Sequence, residues 1–193
     1  MSRNPIQLPD VSLSHFLALH KLPPEFRITA EKFYLPLAAR LPSLLPPDRP
    51  LLLGINGAQG TGKSTLAEFL DMVSRECFGW RNAVLSIDDF YLTHAQRVAL
   101  ADDVHRLLAT RGVPGTHDTA LLAEVLDELL DLPPGVTTDV PRFDKANDDR
   151  SPNASTVEAP FDMIILEGWC VGSRSQDENA LLEPVNELER DED

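Results

Sequence analysis

Residues Gly57-Ala58-Gln59-Gly60-Thr61-Gly62-Lys63-Ser64 follow the pattern G-x-x-x-x-G-K-[ST]. Glycines at this spacing let backbone N–H groups turn inward around the phosphates of a nucleotide. Lys63 can reach the β- and γ-phosphates, and the Ser64 hydroxyl can ligate Mg²⁺. The candidate nucleotide-binding residues are therefore Gly57, Ala58, Gln59, Gly60, Thr61, Gly62, Lys63 and Ser64, with Thr65 next in line.

Two further carboxylate positions sharpen this reading. Asp88-Asp89 ends an apolar run, and a carboxylate there can take the proton of an attacking hydroxyl or hold Mg²⁺. Adjacent residues at a strand end point to opposite sides, so only one of the two serves each task. The plainer alternative is a helix cap or a turn pair. Glu167 follows four apolar residues, Met163 to Leu166, and suits a Mg²⁺-water ligand or a substrate contact. Its plainer alternative is a strand end reaching solvent.

The chain is acidic, with a net charge of −14, so clustered cations stand out. Arg111 opens the Gly/Pro-rich loop Arg111–Asp118, and Arg142, Lys145 and Arg150 share the segment Pro141–Arg150. Arginine can fork a carboxylate or a phosphate with two hydrogen bonds, so these segments suit anion recognition. The bland alternative is pairing with Asp144, Asp148 and Asp149 at the surface. His117 can orient a substrate hydroxyl or cap the helix that starts near Thr119. Trp169 and Cys170 read as packing residues.

These residues need a scaffold. Leu51 to Ile55, Ala83 to Ile87 and Phe161 to Leu166 are short apolar runs that suit buried strands. Helical spacing marks Thr65 to Cys77, Gln96 to Thr110 and Thr119 to Leu130. Two helices are expected within residues 11–40, broken at Lys21–Pro24, with Thr29 capping the second. Leu41 to Pro50, with Pro42, Pro46, Pro47 and Pro50, reads as a linker. Strands alternating with helices predict an α/β fold with a parallel sheet and flanking helices. Ligands of such sheets gather at the carboxyl ends of the strands. The phosphate loop, Asp88-Asp89 and Glu167 are all expected there. The domain reading is an N-terminal helical segment and linker (1–50), a core (51–176) and an acidic C-terminal segment (177–193).

Composition excludes several classes. The acidic charge argues against nucleic acid, whose phosphates need a basic face. Half of it lies in Asp177–Asp193, with eight acids and one base. No apolar stretch is long enough to span a membrane, and no secretory signal pattern opens the chain. Cys77 and Cys170 stand far apart and read as reduced thiols of a cytoplasmic protein.

Together, Gly57–Thr65, Ser86-Ile87-Asp88-Asp89-Phe90-Tyr91-Leu92-Thr93, Arg111–Asp118, Pro141–Arg150 and Ile165-Leu166-Glu167-Gly168-Trp169 resemble the glycerate kinase family of P-loop kinases. That family is related to uridine kinase, pantothenate kinase and phosphoribulokinase. The resemblance covers most of residues 12–175. It implies a P-loop NTPase kinase fold and ATP-dependent phosphorylation of a hydroxyl on a small acid, D-glycerate giving 3-phosphoglycerate. It implies ATP and Mg²⁺, with Ser64, Asp88 and Glu167 around the metal and with Asp88 and Lys63 as catalytic residues. It implies substrate contacts at Asp89, Tyr91, Arg111, His117, Arg142 and Lys145. Nucleic acid and membranes are not expected partners, and the oligomeric state is open.

The chain departs from the family at its end. Relatives continue into a lid with Arg residues for the transferring phosphate and into further sheet strands. Asn186-Glu187-Leu188-Glu189 reads as the start of that region, so a C-terminally truncated kinase is expected, with weak ATP binding and slow turnover. The strand before the phosphate loop would then keep an unpaired edge. Alternatives are a non-catalytic ATP-binding protein, a uridine- or pantothenate-type kinase, and an ATPase that drives a partner. Against the last, Glu167-Gly168 is followed by Trp-Cys-Val rather than a second acid.

Overall fold

The structure, a computed structural model of the chain, describes residues 6, 8–184, 186, 187 and 190. Val185, Leu188, Glu189 and residues 191–193 of the acidic segment lie outside the described residues. In chain order the regular elements are α1 (Asp10–Leu19), α2 (Phe26–Thr29), α3 (Leu35–Ala38), β1 (Leu51–Asn56), α4 (Lys63–Phe78), β2 (Asn82–Ser86) and α5 (His94–Asp103). They continue with α6 (Thr119–Asp131), β3 (Thr137–Val140), β4 (Phe143–Asp144), β5 (Asp149–Arg150), β6 (Ser155–Glu158) and β7 (Met163–Gly168).

The apolar runs form the central sheet. Three parallel strands stand in the order β1-β7-β2. All six residues of β7 are buried, as expected for a strand with neighbours on both edges and helices on both faces. The register sets Ile55 and Ser86 level with Glu167. The phosphate loop, the Asp88-Asp89 turn and Glu167 therefore leave the sheet at one edge.

Side chains alternate along β7 and feed two cores. Met163 and Ile165 pack with Phe69, Leu70 and Val73 of α4 and with Leu13 and Phe16 of α1. Ile164 and Leu166 pack on the opposite face with Leu85, Phe90, and Val125 and Leu129 of α6. Helix α4 ends at Gly79 (φ 67°), where Gly79 N–H and Trp80 N–H return to the carbonyls of Arg75 and Ser74. Among the described residues no helix is long and apolar enough to cross a membrane. Neither cysteine is in a disulfide.

Several expectations need correction. The second helix starts at Phe26, not after Thr29. Phe26 and Arg27 donate to the carbonyls of Pro23 and Pro24, and the helical path runs through a π-helical stretch (Ala30–Tyr34) into α3. Leu41, read as linker, is fully buried in a 3₁₀ turn (Leu41–Ser43). The expected helix Gln96–Thr110 is two pieces: α5, opened by a Thr93/Gln96 capping box, and a 3₁₀ turn (Arg106–Ala109). Asp102 and Asp103 oppose the helix dipole at its C-terminus, and the His105 ring accepts Leu107 N–H, which offers the backbone a non-helical alternative. Ile87 leaves the sheet, so Asp88 and Asp89 sit on a 3₁₀ turn (Ile87–Phe90) rather than on the strand end. The β3–β6 pair and the β4–β5 hairpin were not foreseen.

Candidate functional site

The phosphate loop joins β1 to the 16-residue helix α4, whose free N–H groups suit an anion. Gly60 (φ 76°) and Gly62 (φ 85°) take the left-handed conformation that lets the loop curl. A Cβ on Gly57 would lie 2.9 Å from the Thr61 hydroxyl, so the cradle has no room for a side chain there. Lys63 Nζ and the Thr61 hydroxyl both donate to the Ala58 carbonyl, at 2.9 and 2.7 Å.

Ser64 donates to Glu167 Oε1 at 2.9 Å, although 103 residues separate them in sequence. Glu167 is only 6% exposed. Among the described residues no cluster of three or more His, Cys, Asp and Glu side chains forms a self-sufficient metal site. A hydroxyl and one buried carboxylate nevertheless fit Mg²⁺, which takes few protein ligands and fills the rest with phosphate and water. The loop and this donor pair thus fit Mg²⁺ and a nucleoside triphosphate. A cleft of about 240 Å³ adjoins them, lined in part by Ser64, Ser86, Arg142 and Glu167.

The 3₁₀ turn after β2 gives its two acids separate partners. Ser86 caps it by accepting Asp88 N–H at 3.3 Å. Asp88 Oδ2 accepts from Lys145 Nζ at 2.7 Å and Oδ1 from the Tyr91 hydroxyl at 3.1 Å. Asp89 accepts from Arg142 at 2.7 Å and from Phe143 N–H at 3.1 Å. Burial works to raise the Asp88 pKa. Lys145, by hydrogen bond and charge, and the Tyr91 hydroxyl outweigh it and hold Asp88 below the usual carboxylate value. Burial and the adjacent Asp88 charge push the Tyr91 phenol well above its ordinary value.

Arg142 and Lys145 ride on the β4–β5 hairpin. Its turn is braced by Asp144, which accepts Ala146 N–H at 2.9 Å, and is closed by Asp148 at φ 54°. Asp148 anchors it. Arg97 of α5, 0% exposed, donates to the Asp148 carbonyl at 2.6 Å and to its carboxylate, which Arg111 also engages. The Arg97 hydrogen bond leads the forces that hold Asp148 at a pKa of about 2, with Arg111 and His94 assisting against desolvation. Arg97 and Arg111 also lie over the Phe143 ring, at 5.7 and 5.9 Å.

The loop from Arg111 to Asp118 is stitched to the same turn. Leu92 N–H donates to Thr116 and Asp118 N–H to Phe90. This stacks His117 on Tyr91 with ring centroids 4.3 Å apart. Burial lowers the His117 pKa against the pull of Asp88, which favours a neutral ring. Its Nε2 is buried without a hydrogen-bond partner among the described residues. His117 does not cap α6; Asp118 does, by accepting Leu121 N–H.

The structure thus gathers Asp88, Tyr91, His117 and Lys145 in one group, joins Arg142 to Asp89, and joins Ser64 to Glu167. Arg111 is tied to Asp148, one of the surface acids weighed as its partner, and Arg150 to Asp118. Arg97 carried no sequence signal, because an arginine between polar and apolar helix residues reads as surface.

No protein-family model matches the chain. It is 37% identical over 134 residues to the probable ATP-dependent kinase TDA10 of Saccharomyces cerevisiae, a match covering 64% of this chain and 46% of that protein. It is 36% identical over 132 residues to the chloroplastic D-glycerate 3-kinase of Arabidopsis thaliana, covering 64% of this chain and 29% of that one. The solved structure of D-glycerate 3-kinase from Cryptococcus neoformans aligns with a TM-score of 0.64 at 33% identity, covering 82% of this chain and 56% of that one. The chain spans about half or less of the length of these curated relatives.

Proposed function

Because the chain has a P-loop kinase fold and D-glycerate 3-kinase among its relatives, we propose that it phosphorylates a hydroxyl of a small acid with ATP. D-Glycerate, giving 3-phosphoglycerate, is the acceptor assigned. The observation that carries this reading is the Asp88 carboxylate, at the same sheet edge as the phosphate loop and Glu167, with a cation against it. A nucleotide-binding loop alone needs no such carboxylate.

Gly57–Thr65 would hold the phosphates of ATP, and Ser64 and Glu167 would hold Mg²⁺, which neutralises phosphate charge when bound. Asp88, whose own hydrogen bonds go to Lys145 and Tyr91, serves as the base rather than as a third metal ligand. It takes the proton of the acceptor hydroxyl as that oxygen bonds to the γ-phosphorus and the bond to the departing ADP oxygen breaks. Lys63 steadies charge on the β- and γ-phosphates. Arg142 and Lys145 attract the acceptor carboxylate, and Asp89 acts through Arg142. Arg111 acts through the hairpin it helps hold. Tyr91 keeps its proton at neutral pH and positions Asp88, and the unpaired Nε2 of His117 supports a hydrogen bond to the acceptor.

The test is ATP consumption with D-glycerate beside uridine and pantothenate. Transfer to uridine alone would remove the glycerate assignment and keep the kinase. ATP binding with no transfer to any acceptor would favour the non-catalytic reading. Asp88→Asn should lower kcat by about 10²- to 10⁴-fold while ATP binding persists.

A further inference from the structure

Among the described residues Arg97, Arg111, Arg142, Lys145 and Arg150 gather around the Asp88 turn and the hairpin, and they are not equally free; Arg150 is engaged by the Tyr91 carbonyl and Asp118. Arg97 is fully buried on Asp148, and Arg111 shares that carboxylate. Arg142 is held at two points, by Asp89 at 2.7 Å and by the Ser155 hydroxyl at 2.8 Å. Lys145 makes one hydrogen bond, to Asp88, and its side chain is 59% exposed. An ion pair so exposed holds weakly in water, and the ammonium has donors to spare. The backbone beneath it is fixed. Asp144 accepts Ala146 N–H and Asn147 N–H, and Asp148 is clamped from α5. The result is a braced turn with one exposed cation at its tip, resting on the candidate base.

We propose that Lys145 is a specificity switch: it restrains Asp88 until an acceptor carboxylate draws it away. This inference rests on the kinase reading above and deepens it. Lys145 Nζ and Asp88 Oδ2 are 2.7 Å apart, so one short carbon skeleton with a hydroxyl and a carboxylate can engage both. The carboxylate takes Lys145, and the hydroxyl takes the carboxylate oxygen that Lys145 leaves. The hydroxyl oxygen then bonds to the γ-phosphorus, the bond to the bridging oxygen breaks, ADP leaves with that electron pair, and the proton passes to Asp88. Water can undergo the same displacement, losing its proton to Asp88 and releasing ADP and phosphate. Water carries no carboxylate, so Lys145 stays on Asp88 and hydrolysis is held back. A neutral triol such as glycerol meets the same restraint. The acceptor class is therefore a short hydroxy acid, and discrimination comes from a repulsive as well as an attractive element.

The experiment compares the full chain with its Lys145→Met and Lys145→Arg variants, using Mg²⁺-ATP with D-glycerate, with glycerol and with no acceptor. Lys145→Met should raise acceptor-free hydrolysis, and the wild-type preference for D-glycerate over glycerol, about 100-fold or more, should collapse. Lys145→Arg, which keeps the charge, should restore most of the restraint on hydrolysis. An unchanged preference in Lys145→Met overturns the proposal, and so does a fall in its acceptor-free hydrolysis. The second readout needs no turnover. The chain has four lysines, so ¹³C-dimethylation, which preserves their charge, gives few NMR signals, and Lys145→Arg identifies one of them. That signal should move with D-glycerate and not with glycerol. A moving signal without phosphoryl transfer would sink the kinase reading and leave the exchange standing. Transfer to D-glycerate with a still signal would sink the exchange and leave the kinase standing.

Discussion

Gly168 shows how a single residue sets the site. A Cβ there would lie 2.2 Å from Cγ2 of Ile87 and 2.9 Å from its Cβ. Ile87 is buried and opens the turn that carries Asp88, so it has little freedom to yield. Gly168→Ala should destabilise the fold by about 1–3 kcal/mol, as overpacking does, measured by urea denaturation. Because the strain falls on the Asp88 turn rather than on the phosphate loop, turnover should fall more than ATP affinity. Equal loss of both would show that the turn is not what moved. Asp88 itself illustrates the opposite case: its character comes from Lys145 and Tyr91, not from its place beside Asp89.

The β4–β5 hairpin is short, and hydrogen bonding between two residues on each strand cannot hold it alone. Its grip comes from outside: Asp148 is reached from α5 by Arg97 and from the neighbouring loop by Arg111, Asp149 accepts His94 N–H, and Asp89 accepts from Arg142 and Phe143 N–H. With a folded-state pKa of about 2, below the usual carboxylate value of roughly 4, Asp148 binds fewer protons folded than unfolded. Its stabilisation is therefore fully present above about pH 4 and is lost as pH falls toward about 2. Amide protection at residues 143–150, expressed relative to the intrinsic exchange rate at each pH, should fall over that window. Asp148→Asn should be less protected already at neutral pH and should lose much of that pH dependence, the remainder belonging to Asp144 and Asp149, whose carboxyls are also held low by hydrogen bonds from this turn and from His94 N–H. Wild-type protection unchanged from pH 5 to 2 would mean that Asp148 is not the anchor.

At the scale of the whole molecule, the strand that delivers the phosphate loop lies at the sheet margin. Among the described residues β1 pairs with β7 alone, and Leu52 is 46% exposed. An apolar parallel strand with a free edge is a template for pairing with another chain. Light scattering should therefore detect concentration-dependent self-association, and Leu52→Lys should reduce it. At so exposed a position that substitution should change stability by only about 0.5 kcal/mol or less. Self-association equal in both chains would place the sticky surface elsewhere.

The phosphate loop, the three central strands and α4 were legible in the sequence, because each depends on contiguous residues. Glycine spacing shapes a backbone cradle, and an apolar run marks a strand of the sheet, although of the three only β7 is buried throughout and Leu52 of β1 stays 46% exposed. The α/β fold and the gathering of Gly57–Ser64, Asp88-Asp89 and Glu167 at one sheet edge follow from that order. The 3₁₀ turn under Asp88, the hairpin beneath Lys145 and the break in the 96–110 helix were not legible, since each depends on capping and distant contacts. Tertiary structure alone decided the pairings: Lys145 with Asp88, Arg142 with Asp89 and Arg97 with Asp148 join residues 57, 53 and 51 positions apart. A string of Arg, Lys and Asp permits many such pairs. Only the packing of α5, the hairpin and the Arg111 loop selects among them, by burying Arg97 and leaving Lys145 in water.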